Sequence, residues 1–157
     1  SLQSTRVIPA SRELEHVRCY LNLERIRFGA HLRVEYAIET SDFFLPALSL
    51  QPLVENAVFH GGTTTHIALS AQRDGPWARF YVRDNGQGIP PQKLHTLFSG
   101  ALRCEDSSPG DGKRNMGLGL SVCMAIIRAH GGTLEAKNLE SGAEFSFCLP
   151  LTKEEVS

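Results

Sequence analysis

The chain has 157 residues and nearly balanced charge, 16 Lys and Arg against 17 Asp and Glu, with 41% apolar side chains. That length suits a single domain with a core of ordinary size, and the charge balance leaves no broad basic footprint for nucleic acid or an anionic membrane. Cys19, Cys104, Cys123 and Cys148 show no C-x-x-C spacing, which suits reduced thiols in a cytoplasmic domain better than a disulfide framework or a zinc site, and no apolar run is long enough to span a bilayer.

Residues 1–10 are polar with a proline near their end and read as a linker or tag remnant without structure. Ser11 is an N-cap candidate with Glu13 and Glu15 in the turn behind it, and good helix formers continue to Phe28 before Gly29, so a helix is expected over 11–28. Leu32, Val34, Tyr36 and Ile38 then alternate with charged or small residues, the pattern of a half-buried strand. A second helix is expected from near Ser49 to Gly61-Gly62, with Pro52 in its first turn, where a missing N–H costs little. Ile67, Leu69 and Ala71 alternate in one strand and Ala78, Phe80, Val82 and Asp84 in the next, with Asp74-Gly75 as the hairpin between them. Residues 99–116, rich in Gly, Ser, Pro and charge, read as a loop. Leu118, Val122, Ala125, Ile126 and Ala129 recur at the spacing of one helical face up to Gly131-Gly132. Leu134 and Ala136, then Phe145, Phe147 and Leu149, form a closing pair of strands, and the lone Trp77 is expected to cover the sheet surface. Helices on one face of a mixed, mainly antiparallel sheet follow from this order; regular strand-helix alternation, which a doubly wound fold requires, is missing.

Three segments carry residue types that packing alone explains poorly. In the second helix Asn56 and His60 are one turn apart and share a face, with the apolar residues expected to point elsewhere. An amide oxygen is a suitable hard ligand for a magnesium ion shared with nucleotide phosphates, although an isolated helical Asn is more often a surface residue or cap. At a strand end, Asp84-Asn85-Gly86-Gln87-Gly88-Ile89-Pro90 offers a carboxylate that can accept from the exocyclic amine of a purine and glycines that admit close backbone approach; by itself the segment is an ordinary turn. Asn115-Met116-Gly117-Leu118-Gly119-Leu120 is expected to open the last helix, where exposed N–H groups and the macrodipole favour phosphate; close helix–sheet packing accounts for its glycines equally well.

In this order the segments resemble the N, G1 and G2 boxes of the GHKL superfamily, the ATPases and kinases built on the Bergerat fold. Leu97-Phe98 resembles the F box, and Gly142-Ala143-Glu144-Phe145 the last glycine segment before the closing strand. Residues Glu13-Leu14-Glu15, Tyr20-Leu21, Glu24 and Arg27-Phe28 with Leu50-Gln51-Pro52-Leu53-Val54-Glu55-Asn56-Ala57 look like the LytS/YehU-type sensor histidine kinases. Gly117-Leu118-Gly119-Leu120 through His130-Gly131-Gly132 is closer to the more widespread kinase class. The resemblance implies an α+β, two-layer sandwich with residues 1–10 as linker or tag remnant, 11–29 as a leading helix, 30–151 as the ATP-binding catalytic domain and 152–157 as a tail.

The same resemblance implies Mg2+ and ATP as cofactor and substrate. Asn56 would hold the metal through the phosphates, Asp84 would read adenine, and His60, Gly86, Gly88, Ile89, Gly117, Leu118, Gly119 and Leu120 would line the nucleotide. The loop of residues 99–116 would be an ATP lid, with Lys113 and Arg114 reaching the phosphates. The GHKL ATPases and anti-sigma serine kinases carry a carboxylate four residues before the metal asparagine; here that residue is Pro52, which cannot act as a base. Glu55 projects about 100° around the helix from Asn56 and is assigned an outer or lid-contact catalytic role. Phe59 stands where the family often has a phosphate-facing lysine. His16, beside Glu15, is followed by Val17-Arg18 rather than the Pro and Phe of LytS-type acceptors, so no histidine of the chain is expected to accept phosphate. The implied activity is protein-histidine kinase, with a phosphoacceptor helical domain and a response regulator as partners and a homodimeric, membrane-bound parent. Alternatives are a degenerate ATP-binding module and a GHKL ATPase or serine kinase.

Overall fold

The computed structural model describes residues 6–60, 65–94 and 112–151, with residues 112–119 described by their backbone alone. Strand β1 (Val7–Pro9) leads directly into helix α1 (Ala10–Phe28), which buries Ala10, Glu13, Leu14, Val17 and Leu21 at helical spacing. A 3-10 turn follows, then β2 (Leu32–Ile38), the short β3 (Phe44–Pro46) and α2 (Gln51–His60). Strands β4 (Thr65–Asp74) and β5 (Trp77–Asp84), the short α3 (Pro91–Leu94), α4 (Gly112–Ala129), β6 (Thr133–Asn138) and β7 (Ala143–Pro150) complete the order.

Five strands form the main sheet in the order β2-β4-β5-β7-β6. The β2/β4 pair is parallel, because the chain crosses over through α2 between them, and the other pairs are antiparallel. One sheet face supplies Ile67, Leu69 and Ala71, Ala78, Phe80 and Val82, and Phe145, Phe147 and Leu149, all buried. Against these lie Leu14, Val17 and Leu21 of α1, Leu53, Val54 and Ala57 of α2, and Leu120, Cys123 and Ile127 of α4. Phe80 stacks on Phe147 at 4.9 Å between centroids and tilts against Phe43 at 5.6 Å, so aromatic contacts bind the middle of the sheet to the β2–β3 connection. Trp77, Arg79, Tyr81 and Arg83 alternate onto the opposite face, where the Arg83 guanidinium lies 4.8 Å from the Tyr81 ring centroid. The expected α+β two-layer architecture is therefore present, with Trp77 on the sheet surface.

Several local expectations are corrected. Residues Val7–Pro9 are a strand paired antiparallel with Phe44–Pro46, a two-stranded sheet too short to leave a periodic signal. This pairing and the Ala10 N–H bond to the Phe43 carbonyl (2.8 Å) fix the entry of α1, so its N-cap is Pro9 and Ser11 lies inside the helix. The hairpin turn is Gly75-Pro76, because Asp74 still pairs with Trp77. Residues 112–116 are helical rather than loop. The buried face of α4 is Leu120, Cys123, Ile126 and Ile127; of the expected stripe Ile126 is buried, Ala125 and Ala129 are partly buried, Val122 is half exposed, and the side chain of Leu118 lies outside the described residues. The close of α4 is as expected. Gly131 donates to the Arg128 carbonyl and Gly132 to that of Ile127, the paired bonds that satisfy the last free carbonyls of a helix.

Candidate functional site

Helix α2 packs on β4 and β5 and against α4, and its inward side carries one strongly polar residue. Asn56 is only 6% exposed, flanked by the fully buried Leu53 and Ala57. Burying a carboxamide costs free energy unless its polar atoms are satisfied, so this residue is not the surface asparagine that a lone helical Asn usually is. His60, one turn on, is exposed and set edge-on to Phe59 at 5.0 Å. The expected shared face with apolar residues elsewhere is therefore wrong in detail, because Asn56 lies among the apolar residues and His60 beyond the edge of the core. Glu55 is half-buried and accepts from the Gln51 Nε2 at 3.2 Å. It points its charge toward α1, where burial, then the Glu24 and Glu55 carboxylates, push the Tyr20 hydroxyl well above the usual phenol range.

Asp84 ends β5 and is 8% exposed. Its Oδ1 accepts from the Gly86 N–H at 2.9 Å and from the Ala143 N–H at 3.4 Å, so the carboxylate is held by its own turn and by the start of β7. Asn85 Oδ1 accepts from the His66 N–H at 2.8 Å, which fixes the same turn to β4. Gly88 adopts φ +83°, and a Cβ there would stand 2.8 Å from Asn138 Oδ1. Next to it, the Ile89 N–H donates to Asn138 Oδ1 at 2.7 Å and Asn138 Nδ2 donates to the Ile89 carbonyl at 2.8 Å. Gly142, at φ +92°, sits so close to the Asp84 carbonyl that a Cβ would overlap it.

The backbone thus brings Asp84, Gly86, Gly88 and Ile89 into one braced segment at the end of β5. Lys113 and Arg114 lie within α4 rather than in a loop, Gly117, Leu118 and Gly119 lie in the same helix, which opens at Gly112, and the side chains of residues 112–119 are outside the described residues. Leu120 is 2% exposed and belongs to the core. The F-box pair Leu97-Phe98, Cys104, Gly61-Gly62 and the loop up to residue 111 also lie outside the described residues. Sequence reasoning missed Asn138 and the structural part of Glu13; a polar residue ending a strand and an acid in a helix's first turn carry no local sign of a distant backbone partner. Among the described residues no group of three or more His, Cys, Asp and Glu side chains is placed to hold a metal ion.

A buried asparagine on a helix against the sheet, a braced Asp-Asn-Gly strand end and a glycine-bearing helix on the same layer define the Bergerat class of α+β domains. Residues 46–153 match the family described as histidine kinase-, DNA gyrase B-, and HSP90-like ATPase, and the chain belongs to that family. It is 32% identical over 154 residues to the sensor histidine kinase YpdA of Escherichia coli, covering 95% of this chain and 26% of that protein. It is 31% identical over 155 residues to the sensor histidine kinase/phosphatase LytS of Staphylococcus aureus, covering 94% and 26%. The chain thus spans about a quarter of the length of these curated relatives. The catalytic domain of histidine kinase ThkA has the same fold, with a TM-score of 0.77 at 23% identity over 94% of this chain and 95% of that one. The chain is homologous to the ATP-binding catalytic domains of sensor histidine kinases, including the LytS type. Among the described residues no helix is long and apolar enough to cross a membrane.

Proposed function

We propose that this domain binds Mg-ATP beside α2 and the Asp84 segment and passes the γ-phosphoryl group to a histidine on a separate dimerisation helix of the parent kinase. The observation that carries the reading is the burial of two polar side chains, Asn56 and Asp84, on elements that pack together. Asp84 already spends Oδ1 on two backbone N–H groups, and its other oxygen is the acceptor for the adenine amine. The Gly86–Pro90 backbone, braced by Asn138, forms the wall against the base. Asn56 presents its amide oxygen to the metal, and Lys113, Arg114 and His60 are assigned to the phosphates, with Gly117 and Gly119 leaving room for them. Bound magnesium would neutralise phosphate charge during transfer. The residues of this chain contribute positioning and desolvation, and the nucleophile and its base belong to the acceptor helix.

The absence of a carboxylate at Pro52 supports transfer over hydrolysis. Supplying the acceptor helix of the parent in trans with Mg-ATP should yield acid-labile phosphohistidine, abolished by Asn56→Ala or Asp84→Asn. Nucleotide binding without phosphohistidine would instead favour a degenerate binding module, the reading that Phe59 supports. Fast ATP turnover by this chain alone would favour a GHKL ATPase. Response-regulator phosphorylation, a homodimeric membrane-bound parent and a cytoplasmic location for the domain follow as parts of the same proposal.

A further inference from the structure

The side chain of Glu13 is wholly enclosed, and nothing in the phosphoryl-transfer reading uses it. It belongs to α1, outside the residues that match the family. Yet its carboxylate accepts hydrogen bonds from the backbone N–H groups of Leu48, Leu50 and Gln51, each at 3.2 Å. Gln51 opens α2. The first N–H groups of a helix have no acceptor within it and carry the positive end of its dipole. A local Ser or Asp ordinarily satisfies them; here an acid from another helix does so, and the donors offset the cost of enclosing its charge.

The turn that Glu13 grips is held from other sides as well. Cys123 of α4 donates its S–H to the Ser49 carbonyl at 3.0 Å. The Ala47 N–H donates to the Arg6 carbonyl at 2.8 Å, continuing the β1–β3 pairing that immediately precedes α1. Leu48 is held at φ +63°, a conformation that a residue with a branched side chain adopts only under constraint. The start of α2 is therefore fixed chiefly by groups on or beside α1, and Asn56 lies five residues further along the same rigid helix.

We propose that Glu13 is a positioning residue for Asn56: by capping α2 from α1 it sets the reach of the Asn56 amide toward the metal-bearing phosphates and makes the two helices move as one body. This rests on the nucleotide-site reading above. Displacement of α1 is then carried to the metal ligand through the Glu13 carboxylate, alongside the β1–β3 pairing that ties the start of α1 to the same turn. Glu13→Gln keeps the shape of the side chain but turns an NH2 group toward backbone donors.

Calorimetry with a nonhydrolysable ATP analogue, in Mg2+ and in EDTA, on the chain, Glu13→Gln, Asn56→Ala and the double variant tests this. Glu13→Gln should weaken binding in Mg2+ by about tenfold, the scale on which partners that orient a metal ligand act. It should leave the EDTA value unchanged, and it should add nothing in the Asn56→Ala background. Equal losses in Mg2+ and EDTA, or additive losses in the double variant, would mean a general loosening and overturn the proposal. Should Glu13→Gln fail to fold, Glu13→Asp, one methylene short of the same donors, is read by the same comparison. Amide exchange of the ligand-free chain gives a second measure: exchange along α2 should quicken in Glu13→Gln while β4 and β5 stay protected, and unchanged α2 exchange also overturns it. Wild-type chain that binds no Mg-nucleotide sinks the site reading and this proposal with it, whereas binding that Glu13→Gln leaves intact sinks the positioning role alone.

Discussion

Asn138 closes its carboxamide on the main chain of Ile89, accepting from the N–H at 2.7 Å and donating to the carbonyl at 2.8 Å. The pairing imitates a strand neighbour and ties the segment after Asp84 to the end of β6, so that the wall proposed for the adenine ring is built by a residue 49 positions away. The contact is solvent-exposed, and its two bonds together contribute about 1–2 kcal/mol. Asn138→Ala should lower stability by that amount in urea titration and weaken nucleotide binding, whereas Asn138→Asp, which loses the donor, should fall between the two.

The same segment depends on the absence of a side chain at Gly142. Its φ of +92° and its contact with the Asp84 carbonyl leave no room for a Cβ, and the obstacle is backbone rather than a flexible side chain. Gly142→Ala should cost more than about 2 kcal/mol and displace Asp84. Gly75 is the control: it also has positive φ, +60°, but a Cβ there meets nothing, so Gly75→Ala should cost about 1 kcal/mol. Equal destabilisation of the two variants would show that the close approach to Asp84 is unimportant.

Phe59 is 44% exposed beside His60 at the end of α2. An exposed position outside the core tolerates a long polar side chain with little change in stability, within about 0.5 kcal/mol. Phe59→Lys should therefore leave the melting temperature nearly unchanged and strengthen Mg-nucleotide binding, because a cation is added where the proposed phosphates lie. Lys113→Ala and His60→Ala should weaken it. A lysine at residue 59 that gains nothing in low-salt calorimetry would place the phosphates elsewhere.

What could be read from the sequence and what could not divides along physical lines. Periodic burial was legible: the alternation of Ile67, Leu69 and Ala71 and of Ala78, Phe80 and Val82 marks the strands correctly, and every one of these residues is buried. Asp84 was legible as the last inward residue of such a strand. The short β1–β3 pair was not, because three residues show no period and their pairing is decided by a partner 37 positions away. The inward face of α4 was misread in part because several small residues fit two adjacent stripes, and only packing against β6 and α2 chooses between them. Asn56 was singled out by its neighbours in sequence, but its burial, which separates it from an ordinary surface asparagine, comes from tertiary packing. Glu13 was visible as an acid in a first turn and as part of a family-like stretch, but its capping role was not, because its partners start another helix.

Cys123 gives the fold a predictable alkaline limit. Burial, reinforced by the nearby Glu13 carboxylate, pushes its thiol up to about 12, whereas an unfolded cysteine titrates near about 8.5. Above that value the unfolded chain releases this proton while the folded chain keeps it, so the unfolded state binds fewer protons and stability falls with rising pH. The contribution is complete below about 8.5 and is lost progressively as pH approaches the folded value. Burial raises the Tyr36 hydroxyl and the Cys148 thiol in the same direction, so the decline has several sources. Cys123→Ala should flatten the slope of urea-derived stability between about pH 8.5 and 10.5 while lowering stability at neutral pH through the lost S–H bond to Ser49 and the space left behind. At pH 8 an alkylating reagent should label the exposed Cys19 and spare Cys123 in the folded chain. A slope unchanged by Cys123→Ala, or labelling of Cys123 as fast as Cys19, would mean that this thiol is neither enclosed nor shifted.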